Sequence, residues 1–147
     1  EFLYTVSSIR GFSESFGRRG KRMISTDIPY SPAAVRRLLL RLGATPRYIG
    51  FDYVIHAIIL SLEDSQYLLS VTKELYPDVA RKYHTTICSV ERDIRTVITT
   101  IWKRNPHLLN QIAGYPLTKK PAVGEFIAIM REYFLYHKEM QVSAAQE

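Results

Sequence analysis

The stretch Tyr76-Pro77-Asp78-Val79-Ala80-Arg81-Lys82-Tyr83-His84-Thr85-Thr86-Ile87-Cys88-Ser89-Val90-Glu91-Arg92-Asp93-Ile94-Arg95 decides the fold. Pro77 opens a short helix over Asp78 to Tyr83, because proline is tolerated in a first turn. Thr86 is placed to cap a second helix that runs from about Ile87 to Trp102. Two helices cross closely only where one offers a small side chain, and Ala80 supplies it. Val90 and Ile94 send apolar groups back from the second helix into the domain. The whole has the layout of a helix-turn-helix. Its turn places His84 where glycine is usual, since the backbone there tends to be left-handed, and histidine tolerates that region better than most residues.

At 100° per residue, Ile87, Val90, Ile94, Val97, Ile98 and Ile101 fall on one side of the second helix. Cys88, Ser89, Arg92, Arg95, Thr96, Thr99 and Lys103 fall on the other. Arginine can donate two hydrogen bonds to guanine, Glu91 can accept from cytosine, and the hydroxyls of Thr86, Ser89 and Thr96 can reach phosphates. Recognition helices present their N-terminal residues to base edges. Lys82, Lys103 and Arg104 are the candidates for further phosphate contacts. The plain alternative is a solvated face opposite an apolar stripe.

Outward from this stretch the pattern stays helical. Ser31-Pro32 starts a helix whose Val35, Leu38, Leu39 and Leu42 form a buried stripe, and Gly43 ends it. Phe51 to Leu62 is apolar on most sides and is expected at the centre. Ser65 to Leu75 is expected as a helix with Leu68, Leu69 and Thr72 inward. Asn105-Pro106 breaks the long helix. Leu108 to Ala113 forms a short one stopped by Gly114, and Pro116 to Val123 reads as loop. Gly124 to Lys138 is a final amphipathic helix with Phe126, Ile127, Met130 and Phe134 on one face. Trp102, Tyr115 and Phe126 read as core, and His56 as a buried, hydrogen-bonded histidine. The fold class is therefore all-α, with about six helices in a domain over 31–140 and a fraying tail over 141–147. Residues 1–30 differ: Phe2, Tyr4 and Val6 alternate as in a short strand, and the Gly11 to Arg22 run of glycine, serine and basic residues reads as a flexible linker or a phosphate-touching arm.

Bulk composition narrows the function classes. Twenty Lys and Arg against fourteen Asp and Glu leave a net charge of +6, which favours a polyanionic partner. The single cysteine, Cys88, cannot form an internal disulfide or a zinc site built on cysteine pairs. No apolar run is long enough to span a bilayer, and no signal-peptide order appears at the start; the expectation is a soluble cytoplasmic protein with no membrane partner. His56, His84, His107 and His137 form no metal pair, and no glycine-rich phosphate loop is present. Neither an enzyme nor a cofactor is expected.

The same residues resemble a known family. Leu42-Gly43, Tyr53 to Ala57, Leu68 to Thr72, Leu75 to Ala80, Thr85-Thr86, Val90 to Arg95, Trp102, Gly114-Tyr115 and Glu125 to Ala128 together resemble the C-terminal effector domain of the sporulation-initiation (stage 0) response regulator of endospore-forming bacteria. The resemblance covers about residues 33–138. It implies a six-helix domain that binds short promoter elements in double-stranded DNA, often as adjacent copies. It also implies that Glu91 and Arg92 read bases, that Arg95 lies close to bases or backbone, and that the region around Lys103 to Leu117 touches the sigma subunit of RNA polymerase. Ser89 stands where the family usually has arginine, so the site sequence need not be the same. Residues 1–30 are too short for the family's receiver domain, so the chain reads as a fragment or as an effector without its own switch.

A rival reading keeps the fold and discards promoter binding, leaving a module that contacts polymerase or another regulator. The state of Arg92 and Arg95 separates the two readings. Pairing with Glu91 or Asp93 in the folded domain counts against DNA reading.

Overall fold

The structure, a computed structural model, describes residues 31–145, with side chains placed to residue 136; the expectations for residues 1–30 lie outside this range. Six α-helices make up the described residues: α1 Pro32–Leu42, α2 Gly50–Glu63, α3 Tyr76–Tyr83, α4 Ile87–Arg104, α5 Pro106–Ala113 and α6 Val123–Ala145. The last helix runs further than the end at Lys138 read from its periodicity.

Local signals explain most helix ends. The Ser31 hydroxyl accepts from the Ala34 N–H at 3.1 Å, and Pro32 fills the first turn of α1. Gly43 closes it with φ 103°, a region an L side chain adopts only under strain. Asn105 caps α5 by accepting from the Leu108 N–H at 3.2 Å. The same side chain donates to the Arg41 carbonyl at 3.2 Å, while Arg104 donates to the Gly43 carbonyl at 3.3 Å. The C-terminal ends of α1 and α4 are thereby tied together, and carbonyls left over by one helix are satisfied by side chains of the other.

α2 occupies the centre, as its nearly continuous apolar sequence requires. Phe51, Val54, Ala57, Ile58 and Leu60 are all buried, and α1, α3, α4 and α6 pack around them. Arg131 of α6 donates to the Ser61 carbonyl at 2.8 Å, and the buried Ser61 hydroxyl donates to the Ile58 carbonyl at 2.7 Å. Burial lowers the His56 pKa from 6.5 to about 3, with Lys82 adding a smaller push in the same direction. Glu63, at the end of α2, is raised from 4.5 to about 7 by burial. His56 meets the Tyr83 ring edge-on at 6.0 Å, which joins α2 to α3.

The segment Ser65 to Leu75 is not one helix. A 3₁₀ turn covers Ser65–Leu68, the chain breaks at Ser70, and a π-helical turn over Val71–Leu75 leads straight into α3. The cause lies downstream. Pro77 has no N–H, and its ring would press on the carbonyl four residues back. A wider turn relieves that contact, with the Tyr76 N–H reaching Val71 instead. In consequence Leu69 is 79% exposed, Thr72 is exposed and Leu68 is only half-buried, contrary to the inward positions expected of them. Tyr67 is the residue this segment buries, and its hydroxyl donates to Asp78 of α3 at 2.5 Å.

Candidate nucleic-acid interface

α3, the turn and α4 form the helix-turn-helix. His84 adopts φ 54° and ψ 49°, the left-handed conformation the turn demands. The N–H groups of His84 and Thr85 both reach the Ala80 carbonyl, closing α3 in the absence of glycine. Thr86 then caps α4, its hydroxyl oxygen accepting from the Ser89 N–H at 3.1 Å. Ala80 is buried at the crossing, and Val90, Ile94, Val97, Ile98 and Ile101 face inward.

Gly50 seats α4 against α2. A Cβ there would stand 2.2 Å from the Asp93 carbonyl oxygen, in the middle of the proposed reading stretch. Only a residue without a side chain permits this approach. The partner it touches lies forty-odd residues away in the chain.

The outward face of α4 carries Ser89, Arg92, Arg95 and Thr96 together on its first three turns, with Thr86 at its head. Arg92 and Arg95 have side chains 69% and 58% exposed. Both are paired: Arg95 with Glu91 at 2.6 Å, and Arg92 with Asp93 at 3.3 Å. This is the arrangement that counts against DNA reading. Its weight is set by energy. Exposed pairs of this kind contribute about 0.2–1 kcal/mol, whereas a good bidentate base contact discriminates by about 1–3 kcal/mol. The pairs pre-order the arginines without locking them. Glu91, held by Arg95, is not free to accept from a base unless that pair opens.

The hydroxyls are more committed than their residue types suggest. Thr96 donates to the Arg92 carbonyl at 3.0 Å, Thr99 to the Arg95 carbonyl at 2.9 Å, and Thr100 to the Thr96 carbonyl at 3.1 Å. A phosphate needs a donor, and these protons already have acceptors along the helix. Thr86 likewise spends its proton on the Ser89 oxygen at 3.0 Å. The Ser89 oxygen also accepts from the Arg92 guanidinium at 3.5 Å.

The remaining candidates spread out. Lys82 sits on α3 with its ammonium 5.5 Å from the Tyr83 ring centre. Lys103 is exposed near the end of α4, roughly 24 Å along the helix from Ile87 at 1.5 Å per residue. Three corrections follow from the geometry. Ile87 is 42% exposed although the wheel puts it on the apolar side, because it projects beyond the core at the helix end. Tyr115 is exposed rather than core, its hydroxyl donating to Glu125 at 3.0 Å. Trp102 is half-buried. Lys119 and Lys120, read only as loop, lie beside α4, where the Lys120 ammonium donates to the Thr99 hydroxyl at 2.9 Å.

This set of elements coincides with a family match over residues 35–134, described as sporulation initiation factor Spo0A C terminal. The chain belongs to the Spo0A C-terminal family. That family comprises DNA-binding transcriptional effector domains, which have no catalytic role, and the helix-turn-helix lies wholly inside the matched region. Among the described residues of this Spo0A-type effector domain, no helix is long and apolar enough to cross a membrane.

Proposed function

We propose that this effector domain binds promoter DNA by laying the N-terminal half of α4 in the major groove, where Arg92 and Arg95 contact base edges. The observation that carries this reading is the exposure of both arginines on one face of the helix that follows the left-handed turn, within the family match. Ser89 reaches a base or phosphate with its hydroxyl. Ile87, exposed at the helix start, offers the apolar contact that a thymine methyl takes. Lys82 and Lys103 serve phosphates at the two flanks, and Thr86 and Thr96 hold the helix start and the arginine backbone in place. The domain works in the cytoplasm, on adjacent sites as paired copies, with the stretch from Lys103 to Leu117 turned toward the sigma subunit.

A selection from a randomised duplex pool tests this. Enrichment of one short motif is expected, and Ser89→Arg is expected to shift that motif at one position. A pool that never converges would instead favour the protein-contact module, in which the Glu91–Arg95 and Asp93–Arg92 pairs are permanent surface bridges.

A further inference from the structure

Beside the outward face of α4 lies a cleft of about 660 Å³. One wall is Glu91, Arg95 and Ile98 of α4, and the other is the loop Lys119-Lys120-Pro121 that leads into α6. The loop is braced rather than loose. Asn110 accepts from the Leu117 N–H at 2.8 Å at its start, Pro121 is buried at its end, and Lys120 is fastened to Thr99 between them. Tyr115 adds a cross-brace to Glu125.

Charge in the cleft is unbalanced. Three cations, Arg95, Lys119 and Lys120, line it against two carboxylates, Glu91 paired with Arg95 and Glu125 accepting from the Tyr115 hydroxyl. Lys119 and Lys120 are exposed, and among the described residues neither makes an ion pair. Lys120, hydrogen-bonded to Thr99, and its neighbour Lys119 thus leave the cleft beside the recognition helix with a net positive charge. The position fits a duplex. Thr99 stands roughly 10 Å beyond Arg92 along α4, comparable to the ~12 Å width of the major groove. With Arg92 over the bases, Lys120 is carried to the edge of the groove, where a sugar-phosphate strand runs.

We infer that the Lys119–Lys120 loop is a second DNA-contacting element, a rigid arm that takes backbone phosphates of the same duplex whose bases α4 reads. The inference rests on the DNA-reading role proposed above and adds to it a source of affinity that carries no sequence information. Phosphate contacts fix register and orientation, and the base contacts discriminate. Each neutralised phosphate contributes about 0.9 to the slope of log affinity against log salt.

The test uses the full chain and its Lys119→Ala/Lys120→Ala double variant. Both are titrated against the duplex enriched by the wild type and against a scrambled duplex, across a salt series. The double variant is expected to bind both duplexes more weakly, with its slope flattened by about two units and its preference between them unchanged. Lys119→Arg/Lys120→Arg is expected to restore the slope. Unchanged slope and affinity in the alanine variant would overturn the inference, as would a changed preference at unchanged slope. A wild type that fails to prefer the enriched duplex overturns the parent reading instead, and the wild-type titration alone reveals that outcome. Melting followed by circular dichroism confirms that the variants fold, as expected for two exposed side chains.

Discussion

On its inner side, α4 approaches α2 so closely that one methyl group at Gly50 would run into the Asp93 carbonyl; on its outer side, the same turns carry the exposed side chains of Arg92 and Arg95, each in an ion pair. The inner face is fixed by shape. Close-packed interiors cannot give way by even a methylene without cost. The outer face is fixed by charge, in a solvent that competes for it. A reading helix needs both, because its position must not drift while its contacts must be free to change partners. Ala80, Val90 and Ile94 belong to the first regime, and Ser89, Glu91 and Arg92 to the second.

The contrast is broken most strongly from the inside. Gly50→Ala is expected to cost about 2–3 kcal/mol of stability through overpacking against backbone, read from denaturant melts. Wild-type stability in that variant would show that α2 and α4 do not touch as described. From the outside, Arg92→Ala is expected to weaken DNA binding by about 1–3 kcal/mol and to relax preference at one base pair. Its melting should stay within about 0.5 kcal/mol of wild type, because an exposed charge is being removed. A variant that melts early and keeps its preference would reverse the roles of the two faces.

A smaller effect separates them by pH. Glu63 at the end of α2 has its pKa raised to about 7, so the folded state holds a proton that the unfolded chain releases above about 4.5. Its contribution to stability is full below pH 4.5 and is lost as pH rises through 7. Glu63→Gln should therefore gain about 1–2 kcal/mol at pH 8, allowing for partial exposure, and nothing at pH 4. His56 has the opposite sign. It stays neutral in the fold down to about pH 3, so stability falls as pH drops below 6.5, and His56→Gln should flatten that acid limb. Urea melts at pH 4, 6 and 8 check both substitutions.

The smallest expected effect lies in the turn. His84 holds a left-handed conformation that glycine adopts freely. His84→Gly is expected to stabilise the domain by about 0.5–1 kcal/mol without altering duplex preference. A loss of stability would mean that the imidazole makes a contact of its own.

Much of this was legible in the sequence wherever the deciding interaction is local. Ser31, Gly43, Thr86 and Asn105 act within one turn of themselves, so the ends of α1, α4 and α5 could be read from neighbours. The apolar spacing of Val90, Ile94, Val97 and Ile101 fixed the inner face of α4, and the continuous apolar run of α2 fixed its central place. Ser65 to Leu75 was misread because its helical spacing is real, yet Pro77 dictates the turn before it. Ile87 was misplaced because a helical wheel has no ends, and the core that should cover it stops one turn short. The reach of Lys120 to Thr99 and of Gly50 to Asp93 links residues far apart in the chain. No window of sequence contains either pair. The engagement of the threonine hydroxyls by their own helix was visible in principle, since threonine commonly bonds back to the carbonyl four residues earlier.

The most direct test is fluorescence anisotropy near physiological salt, comparing the duplex enriched by the wild-type chain with a scrambled duplex of the same composition. A preference of ~10³-fold or more is expected if the outer face of α4 reads bases. Equal, weak and salt-sensitive binding to both duplexes would contradict it and leave Arg92 and Arg95 as surface bridges on a domain whose partner is a protein.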